Sequence, residues 1–309
     1  MQQNTRTGLL YALAGFALLS CGDAVIKTIA GQWSPVAVAA LRFTLGAAGL
    51  SALLAWQEGP RAFRPSHPWL QLGRGFCMSM ATIFFFSGIF VMPLAEATAL
   101  VFVSPIIIAV LSGPLLGEKV PRATWIASAL AFVGVIVVLR PNLAEVGWAA
   151  LLPLGAASFF ALIVIANRAS AGQGSALSMQ VFVAGWAAPI LIGAATLGAV
   201  SGAERLAVGW PEWSVIARCA VVAVTASTAH WLIYQGTMRA GASSIAPTTY
   251  IQLLVAVIIG WWWFGDAPDA MTLVGAAIII AAGLYLWRAG KAKSLRTGQT
   301  GARSAAAGD

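Results

Sequence analysis

Apolar runs of helix length recur along the chain from Leu9 to Trp287. Each is close to the roughly 20 residues that a helix needs to cross a hydrocarbon layer. A bilayer interior has no water to pair open backbone groups, so only helices or closed barrels span it. The runs are too long and too uniformly apolar for the alternation of barrel strands. The spacing predicts helices over 9–29, 36–56, 72–91, 94–114, 122–140, 148–167, 178–199, 215–237, 243–264 and 270–288. Only 9% of the residues are charged and 60% are hydrophobic, whereas a soluble domain is about a quarter charged. The expected fold is an all-α polytopic membrane protein with ten transmembrane helices.

The first run, Leu9 to Ile29, is interrupted by Asp23 and Lys27 and shows no small-residue cleavage site. It is expected to be a retained first helix rather than a signal peptide. Cys21, Cys77 and Cys219 each fall inside an apolar run, with neither metal-site spacing nor a disulfide framework, and are read as small core residues. The separators carry turn chemistry: QWSP, EGPRAFRPSHP, MP, GEKVPR, RPNLAEVG, RASAGQGSA, SGAERLAVGWPEW, RAGAS and GDAPD.

Basic residues set the expected orientation. With the N-terminus in the cytoplasm, the inner side holds Arg6, Arg61, Arg64, Arg74, Lys119, Arg122, Arg168, Arg239, Arg288, Lys291, Lys293, Arg296 and Arg303. The outer side then holds only Arg140, Arg205 and Arg218. Both termini are expected in the cytoplasm. The net charge of +8 is spread over short loops and a tail, a topology signature that requires no nucleic acid.

Ala95 to Arg140 aligns without gaps on Ser243 to Arg288. Gly117-Glu118 falls on Gly265-Asp266, Thr124 on Thr272 and Arg140 on Arg288. The register of apolar runs and acidic turns predicts two inverted five-helix repeats, at 1–141 and 142–290, followed by a disordered basic cytoplasmic tail at 291–309. Inverted repeats are typical of secondary transporters, whose sites lie near mid-membrane at the repeat interface.

Three stretches carry a resemblance: SPVAVAALRF in the second run, PLAEATALVFVSPIIIAVLSGPLLGEKV in the fourth, and APTTYIQLLVAVIIGWWWFGDAPDAMTLVGAAIIIAAGLYLWR at the end. In that order they resemble the EamA-type members of the drug/metabolite transporter superfamily, over nearly the whole chain. The resemblance implies ten helices, inverted repeats, cytoplasmic termini, a bacterial inner (plasma) membrane and a central cavity for a small-molecule substrate. The cargo it implies is an amino acid, nucleoside, vitamin or S-adenosylmethionine-like solute. APTTYIQLL and FGDAPD also look like the S-adenosylmethionine carriers of the family.

The polar residues inside the runs are the candidate substrate-binding or coupling groups: Asp23, Lys27, Arg42, Glu96, His230, Tyr234, Tyr250 and Gln252. A charge at mid-bilayer is costly, so such residues face the bundle interior and pair. Asp23 and Lys27 are four apart, share a helix face and can pair. With a rise of about 1.5 Å per residue, Asp23 and Arg42 both fall about 6 Å to the outer side of their helix centres. Glu96 approaches them if helices one, two and four adjoin. Two readings stay open: an ion-pair staple, or a substrate or proton site. Val181 to Leu197 carries no charge, and a cluster in one half only favours a site.

His230 and Tyr234 share a face, and His230 can titrate near neutral pH. Tyr250 and Gln252 lie on different faces of the ninth run. Pro105 and Pro247 interrupt predicted helices, as in transporters with broken helices. WWWF, Trp261 to Phe264, fits an interfacial aromatic belt. The small residues from Gly275 to Gly283 permit close helix packing, including between two copies in a homodimer. No phosphate-binding loop and no metal-ligand or cofactor motif is present. The alternatives to a carrier are an intramembrane enzyme, for which only the scattered Asp23, Glu96 and His230 are available, or a non-transporting membrane scaffold.

Overall fold

The computed structural model describes residues 5–116, 122–170, 172–202, 206–240, 246–285 and 288. These are helical throughout, joined by short turns, with no strand among them. The helices are α1 (Thr5–Lys27), α2 (Pro35–Gln57), α3 (Pro68–Val91), α4 (Leu94–Val101), α5 (Ser104–Leu116), α6 (Arg122–Val146), α7 (Leu152–Ala169), α8 (Ala176–Val200), α9 (Trp213–Ala240) and α10 (Ile251–Phe264). The last, α11, is Ala270–Tyr285. Six of the described helices are long and apolar enough to cross a membrane, and shorter apolar helices cover Leu94–Ile108, Trp125–Val138, Thr248–Phe264 and Ala270–Tyr285. The chain is an all-α polytopic membrane protein.

Two expected helices are broken. The fourth run stops at Val101, turns through Phe102 and Val103, and resumes at Ser104 as α5. Pro105 follows directly; it has no N–H for the Val101 carbonyl and disfavours helical geometry in the residue before it. The ninth run begins as a 3₁₀ segment, Ala246–Tyr250, which contains Pro247 and passes into α10. Several helices outrun their expected bounds, α6 the furthest. α6 continues past Arg140 to Val146, because Leu143, Ala144 and Glu145 are good helix formers. Lys119, the Gly117-Glu118 turn and the 291–309 tail lie outside the described residues.

Small residues set how closely the helices approach. A Cβ on Gly15 would come within 2.7 Å of Ile233 and 2.8 Å of the Ala229 carbonyl oxygen. One on Gly236 would lie 2.7 Å from the Gly8 carbonyl oxygen, and Gly22 faces Val222 and Thr225. α1 and α9 are therefore antiparallel and almost in backbone contact. α6 and α11 meet through Gly134 and Gly275, each of whose added Cβ would lie 2.8 Å from the other's carbonyl oxygen. The hydroxyl of Tyr250 fills the notch at Gly283. Gly275 and Gly283 thus pack within the chain.

Other major pairings are α2 with α8, α3 with α7 and α8, α1 with α10, α2 with α9, and α4 with α10. The first half of the chain packs mainly on the second. Leu94, Leu100, Ile26, Ile29, Ile89, Val38 and Leu191 form the centre of the shared core. Cys219 is buried there, but Cys77 is half-buried and Cys21 is exposed. The core expectation therefore holds for Cys219 alone, since position 21 falls on the outward flank of α1.

Candidate functional site

α1 carries Asp23 and, one turn on, Lys27; α2 carries Arg42; α9 carries His230. Arg42 interacts electrostatically with Asp23, with Cys219 and with His230. Three ionisable side chains from three helices therefore share one electrostatic environment. Asp23, Arg42 and His230 are each half-buried. Among the described residues none of the three makes a hydrogen bond or an ion-pair contact. The Arg42 guanidinium instead lies over the rings of Phe43 and Phe86, at 4.8 and 5.6 Å from their centroids. Aromatic faces attract the cation and leave its N–H edge open.

Lys27 does not pair with Asp23. Its ammonium donates to Asp266 Oδ2 at 2.5 Å and to the Met92 carbonyl at 3.4 Å, and sits 4.9 Å from the Phe264 ring centroid. Helical spacing allowed the Asp23–Lys27 pair, but Asp266, in the connection between α10 and α11, reaches the last turn of α1 first. This is the one ion pair among the described residues. Glu96 is buried at 8% exposure and faces α11, accepting from the Thr272 hydroxyl at 3.3 Å.

The remaining expected residues are spread out. Tyr234 is 40% exposed on the flank of α9. Tyr250 packs edge-on against Phe102, with ring centroids 5.3 Å apart. The two residues coincide in the register that lays Ala95 to Arg140 on Ser243 to Arg288, and each stands at a helix break. Gln252 contributes its backbone carbonyl, which accepts from Ser20 Oγ at 2.9 Å. Trp261, Trp262 and Trp263 are 66%, 81% and 60% exposed at the end of α10, as an interfacial belt requires.

Arg218 and Arg74, which in the sequence are orientation signals, both clasp other parts of the chain. Arg218 of α9 donates to the Thr28 carbonyl at 2.8 Å and to Gln32 Oε1 at 2.5 Å, just beyond α1. At the opposite end of the bundle, Arg74 of α3 is buried, donates to Asn167 Oδ1 at 2.8 Å at the end of α7, and also donates to Gln71. Their shared place, one to two turns into their helices, was the available signal. An open cleft of about 390 Å³ lies near this second end, lined by His67, Pro68, Trp69, Leu70, Ala169 and Gln173. None of the cluster around Arg42 borders it.

The fold and the half-buried ionic cluster define an integral helical membrane protein with polar groups gathered between its helices. Residues 6–140 match the EamA-like transporter family. The chain is 28% identical to the riboflavin transporter of Rhizobium johnstonii, over 74% of each chain. It is 24% identical to the S-adenosylmethionine uptake transporter of Rickettsia prowazekii, over 90% of this chain and 92% of that one. It is also 24% identical to the pseudopaline exporter CntI of Pseudomonas aeruginosa, over 93% and 98%. A solved crystal structure shares the fold with a TM-score of 0.60 over 93% of this chain and 98% of its own, at 20% identity.

Proposed function

We propose that the protein is a secondary carrier of a small polar or zwitterionic metabolite, with Asp23, Arg42 and His230 at the centre of its site. The observation that carries this reading is the convergence of these three groups from α1, α2 and α9 with no hydrogen-bond partner among the described residues. Charges inside a membrane protein are expensive and are retained where they serve a pathway or a partner. A carboxylate and a guanidinium that are near each other but not in contact offer opposite charges to the two ends of a zwitterion. The relatives fit: they are named for different small metabolites and for both uptake and export. Binding and release alone need none of the nucleophile–base geometry an enzyme requires, which favours a carrier over an enzyme.

Two inverted five-helix repeats, 1–141 and 142–290, rocking about their interface would give alternating access. Several pairings come in couples that this division exchanges: α1–α9 with α7–α3, and α3–α8 with α9–α2. We place the protein in the bacterial inner membrane with both termini in the cytoplasm.

The test is thermal stabilisation of the purified protein by a library of amino acids, nucleosides, vitamins and sulfonium compounds. A ligand at about 100 times its Kd stabilises by about 2.7 kcal/mol. Arg42→Gln and His230→Gln are expected to stay folded, lose that stabilisation and lose transport in vesicles. A staple would instead be restored in full by Asp23→Arg with Arg42→Asp. Recovery of transport in that swapped protein overturns the site.

A further inference from the structure

The ion pair of Lys27 with Asp266 stands apart from the cluster around Arg42. Lys27 lies one turn beyond Asp23, about 6 Å further along α1, between that cluster and the end of the bundle. Its ammonium draws together three separate parts of the chain: the connection after α10 through Asp266, the α3–α4 junction through Met92, and the end of α10 through Phe264. Two of these belong to the second half of the chain and one to the first. The side chains are 13% and 31% exposed, too shielded for a fully solvated surface pair and too open for a permanently buried one.

The local backbone is suited to parting. Gly265 ends α10 in the left-handed conformation, with φ 71°, and 265–269 is non-helical. The Asp266 backbone N–H caps α10 by donating to the Gly260 carbonyl at 3.0 Å, so the pair parts by rotation of the two side chains and leaves the cap in place.

The charge of Lys27 also belongs to a pattern that both halves share. Ala30-Gly31-Gln32 recurs as Ala171-Gly172-Gln173, and both glycines are left-handed, with φ 77° and 79°. On that register Lys27 falls on Arg168, whereas Asp23 and Arg42 fall on Val164 and Val183. In the separate register that lays Ala95 to Arg140 on Ser243 to Arg288, Asp266 falls on Glu118. Glu118 and the side chain of Arg168 lie outside the described residues, so this correspondence is one of sequence alone.

We propose that Lys27 and Asp266 are the gate at this end of the molecule, the outer end in the orientation above. The pair closes the path to the Arg42 cluster and must part once in each transport cycle. The proposal rests on the carrier reading, but its test requires no cargo.

Cys219 is buried at the depth of Lys27, since Arg218 beside it donates to the Thr28 carbonyl, which makes it a reporter of whether this end of the bundle is open. With Cys21 and Cys77 replaced by Ala, the rate at which a membrane-impermeant maleimide labels Cys219 is measured from each face of sealed vesicles. Lys27→Gln and Asp266→Asn are each expected to raise the rate several-fold from the Asp266 face and leave the other face unchanged. Lys27→Asp with Asp266→Lys is expected to return it to the starting value, as is Asp266→Glu. Melting temperature, read in parallel, separates gate opening from unfolding: an opened gate labels faster in a protein that still melts cooperatively.

Unchanged labelling in folded Lys27→Gln and Asp266→Asn proteins overturns the gate, as does a folded swap that stays fast. If labelling follows the pair but no metabolite stabilises the protein, the pair still controls access at this end, and the carrier reading falls together with the parting in a transport cycle. If metabolites bind while labelling ignores the pair, the gate alone falls.

Discussion

Two charges four residues apart on α1 go to different partners, and only tertiary structure decides this. Spacing alone favours Asp23 with Lys27; the fold gives Lys27 to Asp266 and leaves Asp23 facing Arg42. The equal depth of Asp23 and Arg42 was legible because it follows from helix length and direction. The arrival of His230 was not, because it depends on α9 lying against α1 and α2. A residue outside the membrane gives a clean test of local chemistry. The carboxylate of Asp269 caps α11 by accepting from the Thr272 backbone N–H at 2.6 Å. Hydrogen bonds from Thr272, side chain and backbone, hold its carboxyl below the usual carboxylate range. A folded-state value lower than the unfolded one means the stabilisation is full above the ordinary range and lost as pH falls through the lowered value. Asp269→Ala is expected to cost about 1 kcal/mol at neutral pH. The difference in unfolding free energy from the wild type should shrink on acidification. Asp269→Asn should keep most of the cap and remove the pH dependence.

At the scale of elements, the α1–α9 seam is written in the chain. Gly8, Gly15 and Gly22 recur at seven-residue spacing and form one narrow stripe. The sequence does not say that the facing stripe is Ala229, Ile233 and Gly236, more than two hundred residues away. Overpacking a tight contact costs about 1–3 kcal/mol. Gly15→Ala and Gly236→Ala should each lower the unfolding free energy by that order, measured in detergent or bicelles. Gly46 has nothing within 4 Å of an added Cβ, so Gly46→Ala should leave stability unchanged or raise it. The helix breaks were partly legible. Pro105 and Pro247 marked them, but the meeting of Phe102 and Tyr250 between the two breaks depends on how the halves dock. The expected helix lengths failed where a proline did not end a helix, as at Pro141 within α6.

For the whole molecule, the all-helical class and the order of the apolar helices were legible because apolar run length maps directly onto membrane thickness. The interlocking of the halves was not, since it depends on contacts remote in sequence. Single cysteines at Arg61 and Asp269, in a background lacking Cys21, Cys77 and Cys219, should label from opposite faces. Labelling of both from one face would overturn the inverted arrangement. The glycine seam also has a consequence for how the protein is made. α1 leaves the ribosome well before α9, the helix it packs against most tightly. Until then α1 must wait in the membrane without its seam partner, and Lys27 waits longer still for Asp266, which follows α10. A chain halted before Trp213 would thus hold an orphan helix, and the two halves made as separate polypeptides should persist only when produced together.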